Sequence, residues 1–440
     1  MSTELSPQKR VVGVVGLGLN VVNLTIAAGI FGLPAIIATI LGAEAILAYL
    51  VCALLFGLVG LCFAEAGSRV GGAGGLYAYT SVPFGPVVGG IAGTLSWLAC
   101  GAVANAAIIN LLAQTLGTVN PALALPWVRV VIILSVFTVI AVINIRGVTY
   151  GLGLSVTLTV IKVAPLVLLV IGGMFVIDPA KLAWHGMPAL GSVAGASVIL
   201  FYAFFGFESA LGMSSEIRNP SRTVPRGIFM GLLIIAGLYV ALQVTAQGTM
   251  GDALAQSKAP LVDVAKLVFG PWGAALMIAA VVISTTGCVA GDLLATPRVV
   301  TAFAQQGQLP RQLSLIHPRF GTPAVAIAVY TVISAGLALS GTFRQLSALA
   351  SAGALIIYFI CCLGVLRLRA RNVVSDGLPF RVPFGPVIPL SACAIILWML
   401  AHLSRTELGW ALAFIVLVGG AYAAVELGRQ GPGIQSSDRR

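Results

Sequence analysis

The chain has 440 residues, of which 59% are hydrophobic and only 8% charged, too little polar surface to cover a soluble globule of that length. Its formal net charge is +11, but Lys and Arg form no basic run interleaved with aromatics and fall between apolar segments, which argues against nucleic acid as a partner. Lipid is the solvent this composition implies, and 52 glycines and 22 prolines suit a packed membrane bundle, where small residues let helices approach and neighbours re-satisfy broken backbone bonds.

Apolar stretches near the twenty residues needed to span the hydrocarbon core run, in chain order, near 11–39, 43–65, 84–116, 128–145, 152–177 and 193–214. Six more lie near 226–249, 271–305, 323–341, 345–368, 384–402 and 408–427. The expectation is an all-α integral membrane protein of 12 transmembrane helices. Its parts are a tail over 1–10, one transmembrane domain over 11–427 and a second tail over 428–440, with no loop long enough for a soluble domain. The run starting at Val11 is too long for a signal-peptide core and is expected to stay in the protein.

With the N-terminus inside, 17 of the 24 Lys and Arg fall on the cytoplasmic side, six outside and Lys162 within a span. The positive-inside rule then puts both termini in the cytoplasm of a multi-pass protein of the cytoplasmic (inner) membrane. The 7 cysteines all lie in apolar stretches without a CxxC pair and read as small packing residues rather than a disulfide framework.

Two spans are interrupted. The first carries Thr25-Ile26-Ala27-Ala28-Gly29-Ile30-Phe31-Gly32-Leu33-Pro34 near its middle, and the sixth carries Tyr202-Ala203-Phe204-Phe205-Gly206-Phe207-Glu208-Ser209. First and sixth are corresponding positions if five spans repeat as the next five. Matched Gly/Pro interruptions point to an inverted-repeat transporter with a midplane site. A break frees backbone N–H groups for a carboxylate and carbonyls for an ammonium, which suits a small zwitterion. Taken singly, Gly29 and Gly206 could be packing glycines.

Three ionisable side chains lie within spans. Lys162 sits about ten residues into the fifth, roughly 15 Å deep at the helical rise, so it must face the interior and be partnered, or lose its proton. It is a candidate coupling group or, alternatively, a structural lysine pinning the carbonyls of the broken first helix. Glu208 could bind an ammonium, carry a proton, or be a hydrogen-bonded structural carboxyl. Asp292, in the eighth span, could line the same cavity, with Ser284, Thr285 and Thr286 offering hydroxyls one to two turns earlier, although buried Ser and Thr often bond their own helix. Histidines 185, 317 and 402 are scattered, and no HExxH, GxSxG, Walker A or Cys/His metal spacing occurs, so neither catalysis nor a metal or cofactor is expected.

Four stretches carry a family resemblance over nearly the whole chain: Phe63-Ala64-Glu65-Ala66-Gly67-Ser68-Arg69 with Gly74-Gly75-Leu76-Tyr77-Ala78-Tyr79; Ser215-Glu216-Ile217-Arg218-Asn219-Pro220-Ser221-Arg222-Thr223-Val224-Pro225-Arg226; Thr296-Pro297-Arg298-Val299; and Gln305-Gln306-Gly307-Gln308-Leu309-Pro310 running to His317-Pro318-Arg319-Phe320-Gly321-Thr322-Pro323. The chain resembles the amino acid, polyamine and organocation transporter superfamily and, within it, the amino acid permeases. The resemblance implies a LeuT-like five-plus-five inverted repeat with two extra helices, discontinuous helices 1 and 6, and alternating access. It implies substrate bound by Ala27, Ala28, Gly29 and Ile30, beside Thr25, and by Phe205, Gly206, Phe207 and Glu208. Tyr202 is similar to the gating aromatic of exchangers, and Lys162 to the lysine that replaces sodium in proton-dependent members. The chain departs from the pattern at Ala27-Ala28-Gly29, which has lost a glycine and a hydroxyl, at Gln305-Gln306-Gly307, which lacks an acid, and at Asp292, where relatives carry a neutral residue.

The functions to weigh are a proton-coupled or sodium-independent amino acid transporter, an exchanger of cationic amino acids or polyamines, and a transport-inactive receptor or channel. The partners implied are a small amino acid or polyamine, protons and the lipid bilayer, with a homo-oligomer left open.

Overall fold

The computed structural model describes residues 12–70, 75–147, 152–208, 217–305, 307–374 and 379–403, with scattered single positions beyond. The two tails and nearly all of the expected twelfth span lie outside the described residues, as does Ser209 through Glu216 of the sixth-span motif. The regular secondary structure of the described residues is helical, apart from one isolated parallel bridge between Val12 and Ile217.

Proline marks where many helices begin, because its missing N–H falls among donors that have no intrahelical partner anyway. In chain order the helices are α1 (Val14–Thr25), α2 (Leu33–Leu41), α3 (Ile46–Val70), α4 (Gly75–Phe84), α5 (Pro86–Leu95), α6 (Ala104–Val119), α7 (Pro126–Ile145) and α8 (Leu152–Gly173). They continue with α9 (Leu190–Phe201), α10 (Pro220–Met250), α11 (Pro260–Phe269), α12 (Pro271–Gln305), α13 (Ala324–Ser340), α14 (Phe343–Ala370) and α15 (Val387–Ala401). Between α5 and α6 the backbone widens into a π-helix over Ser96–Val103. Thr342 caps α14 in a reciprocal box with Gln345, satisfying donors at both positions.

Six helical stretches are long and apolar enough to cross a membrane: Leu33–Val70, Pro86–Val119, Pro126–Ile145, Arg222–Gln256, Pro271–Gln305 and Phe343–Ala370. Five apolar helices are shorter, among them Val14–Thr25, Val160–Gly173 and Leu190–Phe201. The first and third of these lead into the interruptions. The protein is therefore an all-α membrane protein whose outer faces are apolar, with Leu54, Trp127, Leu168 and Val332 exposed.

α10 packs against both α1 and α3, and α3 packs in turn against α9 and α14. Small residues set the approach of α1 to α10: a β-carbon added to Gly231 would lie 2.6 Å from Val21 Cγ1. At one end of α3, Glu65 is fully buried and makes both ion pairs found among the described residues, to Arg69 at 2.8 Å and to Arg369 of α14 at 2.5 Å. It also accepts the Val382 N–H at 2.8 Å, so one carboxylate ties α3, α14 and the segment leading to α15 together.

Candidate functional site

Both interruptions are true breaks, and they touch. α1 ends at Thr25; Ile26 leaves helical geometry and Ala27 is extended before a single 3-10 turn over Ala28–Phe31, after which Pro34 opens α2. The opening N–H groups of that turn have no intrahelical acceptor, and the last carbonyls of α1 have no intrahelical donor. Thr25 Oγ1 is buried with no hydrogen-bond partner among the described residues. Gly29 and Ile30 are buried, Ala27 is partly covered, and the side chain of Ala28 lies outside the described part.

In the sixth span α9 stops at Phe201 and tightens through i to i+3 bonds at Tyr202, Ala203 and Phe204. Gly206 then takes φ +112°, a conformation only glycine adopts without strain. A β-carbon there would lie 2.9 Å from the Leu24 carbonyl oxygen, so the second break is seated on the end of α1. Tyr239 of α10 joins the two: its hydroxyl donates to the Ala203 carbonyl at 3.0 Å, with the Thr25 carbonyl 3.4 Å away.

Aromatic side chains on the two sides of this second break face opposite ways. The Tyr202 ring covers Gly29, where a β-carbon would come within 2.7 Å. Its hydroxyl donates to the Ala104 carbonyl at 2.7 Å, and it meets Phe205 and Phe343 edge to face at centroid distances of 5.4 and 5.9 Å. Phe343 also lines a cavity of about 490 Å³ with Asn110, Gln114, Arg129, Lys258 and Thr342. No residue of either break lines that cavity, although Phe343, which does, meets the Tyr202 ring. Phe207 turns toward α3 into a fully buried cluster with Phe56, Phe63 and Tyr358, at 4.9, 5.3 and 5.7 Å.

The two acids are held separately. Glu208 Oε2 accepts the Gly206 N–H at 2.9 Å and the Tyr358 hydroxyl at 2.5 Å, closing the loop on itself and fastening it to α14. Asp292 Oδ2 accepts from Asn105 of α6 and from the Tyr330 hydroxyl of α13, each at 2.6 Å, while Oδ1 accepts from Thr296 one turn along its own helix at 2.7 Å. Neither acid lies within ion-pair distance of a cation among the described residues. Lys162 Nζ, on α8, donates to Asn23 Oδ1 at 3.4 Å, so its partner is a side chain of α1 half a turn before the break. Ser284 Oγ and Thr285 Oγ1 are buried without a partner among the described residues, whereas Thr286 bonds the Val282 carbonyl of its own helix.

The sequence-based residues thus fall into three neighbouring groups: the joined breaks with Tyr202 and Phe205; Glu208 with Phe207 on the α3–α14 side; and Asp292 with Tyr330. Lys162 stands at the α1 end. Asn23, Asn105, Tyr239, Tyr330 and Tyr358 were absent from the sequence expectation. The signal that could have marked the two asparagines is an amide inside an apolar run, which lipid does not tolerate unpartnered. The tyrosines give no such signal, because a mid-span aromatic reads as core.

Comparison with known proteins follows the same lines. A family profile described as amino acid permease matches residues 12–422. The chain is similar to the branched-chain amino acid permease BcaP of Lactococcus lactis subsp. cremoris (strain MG1363), 31% identical with 84% of each chain covered. It is also similar to two Bacillus subtilis (strain 168) proteins: the methylthioribose transporter, 28% identical over 92% of this chain and 88% of that one, and the serine/threonine exchanger SteT, 27% identical over 90% and 91%. These relatives are transporters, not enzymes.

Proposed function

Since the chain belongs to the amino acid permease family, within the amino acid, polyamine and organocation transporter superfamily, we propose that it is a secondary active transporter moving amino acids across the cytoplasmic membrane by alternating access. The observation that carries this reading is the contact between the two breaks, Gly206 against Leu24 with Tyr239 bridging. Two broken helices end to end supply unpaired N–H groups and carbonyls within a few ångströms, the complement of a zwitterion. The residues we assign to substrate are Thr25, Ala27, Ala28, Gly29, Ile30, Tyr202, Phe205, Gly206, Phe207, Glu208 and Asp292, with Lys162 and Glu208 as coupling groups.

In this reading the architecture is 12 helices in a five-plus-five inverted repeat with both termini cytoplasmic. The chain divides into a tail over 1–10, one transmembrane domain over 11–427 and a tail over 428–440. Transport is proton-coupled or sodium-independent, supported by the ammonium of Lys162 beside α1, which occupies charge space that a sodium ion would need. Uptake of labelled leucine, serine and arginine into proteoliposomes tests it: accumulation is expected with a proton gradient and no sodium, and an absolute sodium requirement would sink the coupling claim. The second reading, an exchanger of cationic amino acids or polyamines, is favoured by two buried carboxylates without a paired cation. Counterflow with arginine and putrescine separates the two.

A further inference from the structure

Asp292 carries a feature that substrate binding does not explain. Both of its oxygens are already occupied by protein donors from three helices, yet no cation stands within 4 Å among the described residues. An ionised carboxylate inside a membrane bundle is costly unless paired or neutralised. Its three donors differ in kind. The Asn105 amide nitrogen can only donate, whereas the Tyr330 and Thr296 hydroxyls can donate or, on rotation, accept. The cluster can therefore satisfy Asp292 in both charge states: three hydrogen bonds run into the carboxylate, and after protonation the new O–H donates to a hydroxyl that has turned its lone pair.

Its surroundings allow the change. Cys100, on the π-helical segment, lies within electrostatic reach of both Asp292 and Glu208. Cys288, one turn before Asp292 on α12, feels Asp292 and Lys162 of α8, and Tyr202 after α9 feels Asp292 and Cys288. Tyr330 is the group from α13. From α6 and α7 the uncharged Asn105 and Asn144 hydrogen-bond to α12. Asp292, Cys100 and Cys288 are each only partly covered although they lie mid-helix. A π-helix beside them supplies a backbone that departs from regular pairing, a common companion of functional sites; Gly101 within it is pressed against Tyr330, where a β-carbon would lie 2.4 Å from the hydroxyl oxygen.

We propose that Asp292, with Tyr330, Thr296 and Asn105, is a proton-binding site. The carboxylate takes one proton from water on one side of the membrane, its charge goes from minus one to zero, and the same proton leaves to the other side when the bundle reopens. This deepens the transporter reading for the proton's route, while the binding of the proton stands apart from it.

The test is infrared difference spectroscopy of the reconstituted full chain between acidic and alkaline buffer, with the proton as its own probe. The wild-type protein is expected to show a carboxylic C=O band on acidification that Asp292→Asn lacks. Tyr330→Phe and Thr296→Val, which keep the carboxyl, are expected to retain the band with its midpoint moved toward alkaline pH by about one unit, as one lost hydrogen bond to the charged form predicts. In proteoliposomes Asp292→Asn is expected to lose at least about tenfold of the gradient-driven accumulation of labelled leucine or arginine. A band that persists unchanged in Asp292→Asn, or gradient-driven accumulation that survives its loss, overturns the assignment. Because the spectroscopic arm needs no substrate, a protein that carries none of the amino acids would defeat the transporter reading and still leave the proton site decided by the band.

Discussion

Leu24 and Gly206 are in backbone contact: the Leu24 carbonyl oxygen lies 2.9 Å from where a β-carbon on Gly206 would sit, and Gly206 holds φ +112°. Gly206→Ala therefore meets two penalties, a backbone conformation costing about 1–3 kcal/mol for a non-glycine residue and a collision with the main chain of the other break. The variant should insert into membranes yet lose at least about tenfold of its uptake rate. Wild-type uptake kinetics in the variant would show that the seating is incidental.

Lys162 distinguishes a coupled transporter from a passive one. Lys162 donates to Asn23 at 3.4 Å and is 6% exposed, so Lys162→Gln removes a buried charge while leaving an amide to bond. Uptake driven by a proton gradient should fall by about tenfold or more, while ligand-induced thermal stabilisation in detergent persists. A channel or receptor would tolerate the change, and single-channel recording or retained flux would reveal it.

The Tyr202 hydroxyl and the Tyr202 ring do different jobs. Tyr202→Phe removes one buried hydrogen bond to the Ala104 carbonyl, a loss of about 1 kcal/mol, and should leave exchange nearly intact. Tyr202→Ala uncovers Gly29 and breaks the ring contacts with Phe205 and Phe343. Efflux from preloaded vesicles without external substrate should then rise several-fold, on the order of the about 1–2 kcal/mol that two aromatic pairs contribute.

Glu65 sits between two guanidinium groups, fully buried. Glu65→Ala leaves those two cations facing each other and should cost about 3–5 kcal/mol. Glu65→Ala with Arg369→Ala should cost less than the two single changes added together, because the second removes part of the uncompensated charge. Thermal unfolding of the four proteins in one detergent measures the difference, and strict additivity would mean that the pair is not coupled.

What could be read from the chain alone was set by local chemistry. Apolar length gives α7, α10, α12 and α14 nearly to their ends, since lipid demands a continuous run. Glycine and proline mark the interruption between Thr25 and Leu33, because those residues act on their own backbone. Glycine also marks the break of the sixth span near Gly206, but the helix already ends at Phe201; the tightening at Tyr202–Phe204 depends on Tyr239 and the end of α1, which no local pattern encodes. The same holds for the acids. Glu208 could be seen as a membrane carboxyl, but Tyr358 lies 150 residues away in the chain and Asn105 is 187 from Asp292. Separation in sequence hides partners that only the folded bundle brings within 3 Å.

All seven cysteines are free thiols, and five of them are buried. The two partly covered ones, Cys100 and Cys288, flank Asp292 from the π-helical segment and from α12. The native chain thus comes with its own pair of chemical reporters and an otherwise silent background. A small membrane-permeant thiol reagent labels them at a rate set by how often the centre of the bundle is open, and a substrate that closes the bundle slows that labelling without any engineered residue.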